Sequence, residues 1–288
     1  MPDAKRRGTR PVLKLGYVHI PKCGGTALSD VIYDAVGSRH LHVANVVRPG
    51  KTPRSFHSLQ PHSFAWLLAQ SVPFLSGHIG YRQMRRLDRT SIFSVLRDPA
   101  LRLFSLYSYH SSRVLDPETN RDDPNLELFY KGVSFAEYME SLPGNGMARF
   151  LIKDFIDQHG DFDAVLETGP DALADATLTG LIDKALGRYF AIYYCPLQAV
   201  ADDLSARFDL PPMTVQKTNE SRADLEFDIG CSEDEFLAHV RRQTWLDIFV
   251  LERARAIFPA HVTEEVLTPD AALAALKSRY TLQFRATV

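Results

Sequence analysis

The chain has 288 residues, of which 45% are hydrophobic, and its 33 basic and 35 acidic residues give a formal net charge of −2. That apolar content is enough for a buried core in one large domain, and the near-neutral charge argues against nucleic-acid binding through bulk electrostatics. No apolar stretch approaches the ~20 residues that span a bilayer. The three cysteines, Cys23, Cys195 and Cys231, are widely spaced, which indicates neither a disulfide framework nor a zinc finger and favours a reduced, cytoplasmic setting.

The first part of the chain predicts a tail, a strand and a helix. Residues 1–12 are basic and polar with no apolar signal core, so we expect a flexible tail ahead of a single domain spanning 13–288. The alternating run 14–20 predicts a strand, and the apolar spacing within 26–36 predicts a helix. The prolines and basic residues scattered through 40–61 favour an irregular segment.

The central part continues the alternation of strands and helices. Asp98 is expected to cap a helix that has Pro99 at its first position. Asp, Asn and Pro residues in 113–132 predict a surface loop. In chain order, the segments around them predict a short helix at 63–70, strands at 73–77 and 91–97, and a helix at 99–112.

The remaining segments are mainly helical, with one clear strand. In chain order they are helices at 134–142, 146–155 and 171–186, a strand at 189–195, a helix at 197–208, an irregular segment at 210–226 and helical residues at 233–258. Strands that alternate with helices imply an α/β fold, and we expect a P-loop-like three-layer domain whose central, mainly parallel sheet is flanked by helices.

The turn between the first strand and the first helix has the composition of a phosphate-binding loop. Two glycines let the backbone N–H groups converge as a nest, and the start of the following helix adds partial positive charge. Lys22 would add a mobile full charge and Thr26 a hydroxyl donor. Lys22 precedes the glycines, so this is not a Walker A loop and no Mg²⁺-holding arrangement is indicated; an ordinary glycine turn is the alternative. The candidate ligand-binding residues are Lys22, Cys23, Gly24, Gly25, Thr26 and Ala27.

A second anion site is predicted at the end of the strand 91–97. Open α/β sheets bind ligands at the carboxyl ends of their strands, which is where Arg97 lies. Arg97 and Ser105 could clasp one phosphate through a charged fork and a hydroxyl; an exposed Arg97–Asp98 pair beside a solvated helix face is the alternative. Arg102, Ser105 and Tyr109 share one stripe of the helix, while Leu103, Leu106 and Tyr107 are expected to face the core.

These two segments resemble the motifs of a known enzyme family. H-I-P-K-C-G-G-T resembles the 5′-phosphosulfate loop of sulfotransferases that use 3′-phosphoadenosine 5′-phosphosulfate (PAPS), and L-R-D-P-A-L-R-L-F-S-L-Y resembles their 3′-phosphate motif. The likeness is greatest to the Golgi-type carbohydrate O-sulfotransferases of the heparan 2-O, chondroitin and dermatan branches and to their bacterial relatives. It extends more weakly over residues 14–258, through 144–149, 192–197, 218–221 and 246–249, with Pro196 or Leu197 where the family has Glu.

The resemblance implies sulfuryl transfer from PAPS to a hydroxyl acceptor, with 3′,5′-ADP as product and no metal. Lys22 would stabilise charge on the bridging oxygen, and Asn219, Ser221 and Arg222 would close over the nucleotide. Cys23 replaces the commoner Thr, and its thiol is either a plain small side chain or partly ionised beside Lys22 at a helix N-terminus.

Histidines are the candidate bases for the acceptor hydroxyl. Ser76-Gly77-His78 resembles the G-H segment of uronyl 2-O-sulfotransferases, so His78 is assigned this role. His19 is expected to be structural, and His110 is a weaker candidate. Four further histidines, His40, His42, His57 and His62, lie in the segment predicted to be irregular and are not distinguished from one another.

The resemblance implies a carbohydrate acceptor, and cationic clusters near the proposed base could bind anionic sugars, although solvated surface explains these clusters equally well. They are Arg48, Lys51 and Arg54, and Arg82, Arg85 and Arg86, with Tyr81, Tyr107 and Tyr109 as stacking candidates. A P-loop nucleotide kinase and a catalytically silent nucleotide-binding protein are the alternative functions. A Golgi-lumen location stays open for a truncated chain, and the sequence does not fix the oligomeric state.

Overall fold

The computed structural model describes residues 14–36, 40–43, 55–56, 72–86, 91–114, 132–216 and 226–286. Within them, the strands are β1 (Leu15–Val18), β2 (His40–Val43), β3 (Ser55–Phe56), β4 (Phe74–Gly77), β5 (Ser91–Val95), β6 (Ala191–Tyr193), β7 (Glu226–Asp228) and β8 (Thr281–Gln283). The helices are α1 (Gly25–Val36), α2 (Tyr81–Arg85), α3 (Pro99–Val114), α4 (Phe135–Ser141), α5 (Gly146–Leu151), α6 (Lys153–His159), α7 (Phe162–Thr168), α8 (Ala176–Leu186), α9 (Leu197–Phe208), α10 (Glu233–Ile257) and α11 (Pro269–Lys277). A 3₁₀ helix spans Gly169–Ala174.

Six strands form one parallel sheet in the order β3-β2-β4-β1-β5-β6. Val18 at the end of β1 pairs with Gly77 at the end of β4 on one side and with Ser94 of β5 on the other. Because parallel strands share a direction, the carboxyl ends of β4, β1 and β5 lie side by side, about one strand spacing of ~4.8 Å apart.

Alternating side chains place a hydrophobic layer on each face of this sheet. Tyr17 packs with Leu28 of α1 in one cluster, whereas its neighbour Val18 packs in another with Met147 of α5 and Val250 of α10. Strands buried on both faces in this way require helices above and below. The predicted α/β class with a central parallel sheet flanked by helices is therefore confirmed.

A smaller parallel pair, β7 and β8, lies beside a third cluster that joins α3, α4, α10 and α11. Phe104 of α3 sits at its centre, with ring contacts to Phe135, Phe227 and Tyr280. This cluster fixes α3, and with it the segment that carries Arg97. Among the described residues, no helix is both long and apolar enough to cross a membrane.

Several predicted elements differ from those observed. The segment 40–61 is not wholly irregular, because β2 pairs with β4 and β3 pairs with β2 at the edge of the sheet. The helix predicted at 146–155 is two helices, divided at Ile152, whose φ of −125° departs from helical geometry. The segment 171–186 is a 3₁₀ turn followed by α8, which Asp175 caps through the backbone N–H of Thr177. The prediction at 63–70 lies outside the described residues, as do 115–131 of the predicted loop.

Candidate functional site

Three predicted site segments meet at the carboxyl edge of the sheet. The loop 19–24 follows the central strand β1, His78 follows β4 on one side, and Arg97 follows β5 on the other. The backbone N–H of His19 donates to Gly77 O at 2.9 Å, so the loop begins in direct contact with the segment that carries His78. The strand order thus brings the predicted base, the predicted loop and the predicted arginine to one edge.

The loop combines two left-handed residues with the start of a helix. Lys22 has φ +69° and Gly24 has φ +77°, while Cys23 between them has no positive φ. Such alternation turns successive N–H groups toward one side, which is the geometry of an anion nest. Helix α1 begins at Gly25, and the first N–H groups of a helix have no intrahelical partner. The N–H groups of 25–27 and the Thr26 hydroxyl therefore lie at this helix start. The side chain of Thr26 is exposed, whereas that of Ala27 is buried.

Packing requires glycine at position 25, and the positive φ together with a nearby side chain favours it at position 24. A Cβ on Gly25 would lie 2.1 Å from His19 Cδ2, and a Cβ on Gly24 would lie 2.7 Å from Leu197 Cδ1. His19 is 6% exposed and stacks on Tyr17, as expected for a structural histidine. Its imidazole is therefore pressed against the first residue of α1, where the predicted anion site lies.

Two arginines bind consecutive carbonyls of the loop. Arg97 Nη1 donates to Lys22 O at 3.4 Å, and Arg102 Nε donates to Pro21 O at 3.0 Å. Arg102 is only 4% exposed, although Tyr109 on the same predicted stripe is exposed, so the alternative of a solvated helix face does not hold for Arg102. Ser105 is half-buried on the second turn of α3.

Asp98 caps α3 rather than pairing with Arg97 at the surface. Its Oδ1 accepts the N–H of Leu101 at 2.9 Å, and its Oδ2 accepts the N–H of Leu267 at 3.0 Å. Burial raises the pKa of this carboxyl, although those backbone N–H groups and the charge of Arg97 act in the opposite direction. The predicted cap is confirmed, and Arg97 remains beside the loop.

Lys22 lies within the loop, and His78 lies beside it. The ammonium of Lys22 lies 4.2 Å from the centre of the Tyr109 ring, a cation–π contact that holds the side chain over α3. The half-buried ring of His78 meets the ring of His19 edge-on, with centroids 4.6 Å apart.

His110, the weaker candidate, shares a hydrogen bond of 3.0 Å between its Nδ1 and the hydroxyl of Tyr138. Side chains of His40 and His42 are not described, and His57 and His62 lie outside the described residues.

The thiol of Cys23 is not poised to ionise. It is 3% exposed, and burial raises its pKa to about 11 despite the opposing charges of Arg102 and Arg97. The partly ionised form considered from the sequence is therefore wrong, because desolvation outweighs the charges of the nearby arginines. Cys23 acts as a small buried side chain.

A cleft of about 630 Å³ opens beside the loop. Its size is typical of a small-molecule site. It extends past Pro196 and Leu197, where the resemblance leads one to expect a Glu. The segment 264–267 forms another wall of this cleft, and it carries no motif that would predict such a role from the sequence. The lining residues are Cys23, Gly24, Leu96, Arg97, Asp98, Leu101, Tyr194, Cys195, Pro196, Leu197, Glu264, Glu265 and Leu267.

Two weaker segments of the resemblance contact each other behind the loop. Asn145 has φ +47°, and its N–H donates to Gln243 O at 2.7 Å. Its side-chain Oδ1 accepts from the N–H of Leu246 at 2.8 Å and of Asp247 at 3.3 Å. Asp247 is 1% exposed, and its Oδ1 accepts the N–H of Ala148 at 2.7 Å. The segments 144–149 and 246–249 thus form one buried polar junction.

Only part of the predicted acceptor surface is described. Arg82, Arg85 and Arg86 are exposed on or beside α2, close in sequence to His78. Tyr81 contacts the ring of Tyr189 at 5.0 Å, and Tyr107 is buried. Other candidates lie outside the described residues: Arg48, Lys51, Arg54, Asn219, Ser221 and Arg222.

Within the part of the chain that the structure describes, no group of three or more His, Cys, Asp or Glu residues could hold a metal ion. No model of a known protein family matches the chain, and no curated protein matches it either.

Proposed function

We propose that the chain is a PAPS-dependent O-sulfotransferase that transfers a sulfuryl group to a hydroxyl acceptor, most simply a carbohydrate. One observation carries this proposal: the loop of Lys22 and the segment of Arg97 follow adjacent strands and are joined by the Arg97–Lys22 hydrogen bond. A ligand with phosphates near both ends can therefore be bound at one edge. The adjoining cleft has room for the nucleoside between them.

Each residue has a distinct part in this reaction. The N–H groups at the start of α1 and the ammonium of Lys22 would bind the 5′-phosphosulfate, while Arg97 and Ser105 would bind the 3′-phosphate. PAPS supplies an activated sulfuryl group, whose transfer needs positioning and charge neutralisation more than covalent help. Lys22 would offset the negative charge that develops on the phosphate oxygen as the bond from sulfur to that oxygen breaks.

His78 would act as the base that accepts the proton of the acceptor hydroxyl. The acceptor oxygen forms a bond to sulfur, its proton passes to the imidazole of His78, and 3′,5′-ADP leaves with the electron pair of the broken bond. A base of this kind contributes about 10²–10⁴-fold to the rate. The contact of His78 with His19 keeps its ring at the same edge as the loop.

The decisive experiment has a binding arm and a transfer arm. Calorimetry with 3′,5′-ADP is expected to show binding, and ³⁵S-labelled PAPS is expected to label at least one acceptor among glycans, phenols, lipids and small alcohols. Absence of binding would overturn the proposal. Binding without transfer to any acceptor would instead favour a silent nucleotide-binding protein, and Mg²⁺-dependent phosphoryl transfer from ATP would favour a kinase.

Substitutions separate chemistry from binding. Lys22→Ala and His78→Ala are expected to keep 3′,5′-ADP binding within about tenfold but to lose most turnover, with His159→Ala as the control for an exposed histidine. Full activity in the His78 variant would show that another group is the base.

The arginine of the second site is expected to act on binding. Arg97→Ala should weaken 3′,5′-ADP binding by about 1.5–3 kcal/mol, the range for a hydrogen bond to a charged group. Lys184→Ala on α8 is the control for loss of a distant positive charge. Unchanged affinity in the Arg97 variant would remove this arginine from the nucleotide site.

A further inference from the structure

Arg102 is a buried charge that the proposed chemistry does not use. Its side chain crosses beneath the loop, where Nε donates to Pro21 O at 3.0 Å, 81 positions earlier in the chain. The carbonyl of Pro21 belongs to the same peptide unit as the N–H of Lys22. A trans peptide is planar, and its C=O and N–H point in opposite directions. Fixing the Pro21 carbonyl therefore also fixes the direction of the Lys22 N–H and the orientation of the peptide plane that precedes the left-handed Lys22.

The guanidinium of Arg102 lies in a socket built by other elements. A Cβ on Gly146, the first residue of α5, would lie 2.7 Å from Arg102 Nη1 and 2.9 Å from Nη2. Gly146 has no positive φ, so backbone conformation does not require glycine here. The absence of a side chain at Gly146 instead leaves space for the arginine head.

Buried opposite charge supports Arg102 in this position. Asp247 of α10 has no hydrogen-bond partner for its Oδ2 among the described residues, and the principal positive charge acting on it is Arg102. Arg102 also lies against the thiol of Cys23, whose pKa it lowers against the effect of burial. Asp247 is itself held by the junction with Asn145 and Ala148.

We infer that Arg102 is the positioning residue of the phosphate loop: it transmits the rigid packing of α5 and α10 to the backbone of Pro21 and Lys22. It need not touch the ligand, since its Nε is occupied by the loop carbonyl and its head by the Gly146 socket. The consequence for nucleotide affinity rests on the proposed function, whereas the consequence for loop order does not.

Gly146→Ala tests this inference without altering any charge or any loop residue. The added methyl group must displace the guanidinium, which is the far end of a flexible side chain. We expect amide exchange of residues 20–27 to quicken by on the order of tenfold, with exchange in α8 and α9 unchanged. Gly180→Ala is the matched control, because nothing lies within 4 Å of the Cβ it would add.

Arg102→Met removes the hydrogen bond itself, and Arg102→Lys keeps a donor and the charge. We expect amide exchange of residues 20–27 to quicken more in Arg102→Met than in Arg102→Lys. The affinity for 3′,5′-ADP should also fall further in Arg102→Met, by at least about tenfold. Should Arg102→Met fail to fold because it leaves Asp247 uncompensated, the pair Arg102→Met with Asp247→Asn removes both charges and serves instead.

Arg149→Met controls for loss of a neighbouring arginine that binds Gly144 O rather than the loop. Unchanged exchange of residues 20–27 in both Gly146→Ala and the Arg102 variants would overturn the inference. If the wild-type protein does not bind 3′,5′-ADP, the proposed function fails, while the exchange measurements still decide the role of Arg102.

Discussion

Gly25 has no side chain, and the space that a Cβ would need is occupied by the imidazole of His19. Lys22, three positions earlier, has a left-handed backbone that costs a residue with a side chain about 1 kcal/mol or more. Two local constraints thus fix the loop, one steric and one conformational. Both residues belong to the set that the sequence predicts to bind phosphate.

Gly25→Ala is therefore expected to lower the free energy of unfolding by roughly 1–3 kcal/mol, the range for overpacking a well-packed site. Gly180→Ala in α8 should raise it by about 0.4–1 kcal/mol, because no atom obstructs the new methyl group and the unfolded chain loses freedom. Urea unfolding measures both. Combining Gly25→Ala with His19→Ala should recover part of the loss; no recovery would mean that His19 is not the obstacle.

The buried carboxyl of Asp247 is expected to make the free energy of unfolding depend on pH. Burial raises its pKa to about 6, against the charge of Arg102 and the N–H groups of Ala148 and Met147. The folded state then binds this proton more tightly than the unfolded state, so the contribution to stability is present at low pH and is lost as pH rises through about 4–7.

Comparison with Asp247→Asn isolates that contribution from the other carboxylates. The free energy of unfolding of the wild type minus that of the variant should fall by about 2–3 kcal/mol between pH 4 and pH 7, at roughly 1.4 kcal/mol per pKa unit. Urea titrations at several pH values provide the measurement. Parallel stability curves for the two proteins would show that Asp247 titrates normally.

Helix α10 depends on a residue from another element. Asn145 supplies one acceptor to two N–H groups of α10 and one donor to its Gln243 carbonyl, and it does so from a left-handed backbone. Asn is among the few residues that adopt this conformation readily. The amide and the backbone of Asn145 therefore both contribute to joining α5 to the middle of α10.

Two substitutions separate these contributions. Asn145→Ala is expected to cost about 2 kcal/mol or more, because it leaves the N–H groups of Leu246 and Asp247 without this acceptor and places Ala at positive φ. Asn145→Gly loses the same hydrogen bonds without the backbone strain, so it should be about 1 kcal/mol less destabilising. Equal free energies of unfolding for the two variants would exclude a conformational role.

Local signals predicted some elements and not others. The helix at 99–112 was marked by Asp98 and Pro99, whose capping chemistry acts within a few residues, and α3 begins at Pro99 as expected. Strands β2 and β3 were missed because their order comes from pairing along the sheet edge, which the composition of 40–61 does not display. The contact between Gly146 and the guanidinium of Arg102 could not be predicted either, because no local sequence pattern indicates which distant side chain packs against a glycine.

At the scale of the whole molecule, the cleft beside the loop is assembled from distant parts of the chain. Asp98 Oδ2 binds the N–H of Leu267, 169 positions later, and this bond helps bring the segment 262–267 to the site. The backbone of Tyr194 binds this segment at Thr263 N and Glu264 N, and it binds the preceding residue, His261, at its carbonyl O. The sequence predicted the two phosphate motifs from local patterns, whereas this wall depends on tertiary contacts that no local pattern encodes.

Nucleotide binding should therefore protect segments that are far apart in sequence. We expect saturating 3′,5′-ADP to slow amide exchange together in 20–27, 95–101, 194–197 and 262–267, which line or support the cleft. At a hundred times its dissociation constant, the ligand should also raise the free energy of unfolding by about 2.7 kcal/mol.

5′-AMP is the matched control ligand, because it lacks the 3′-phosphate assigned to Arg97 and Ser105 and should bind at least about tenfold more weakly. Protection confined to 20–27 would mean that only one anion is bound and that the segment of Arg97 is not part of the site. Equal protection by 5′-AMP would likewise remove the 3′-phosphate from recognition. Protection of all four segments by 3′,5′-ADP but not by 5′-AMP would instead support binding of one ligand by both the loop of Lys22 and the segment of Arg97, because the two nucleotides differ only in the 3′-phosphate.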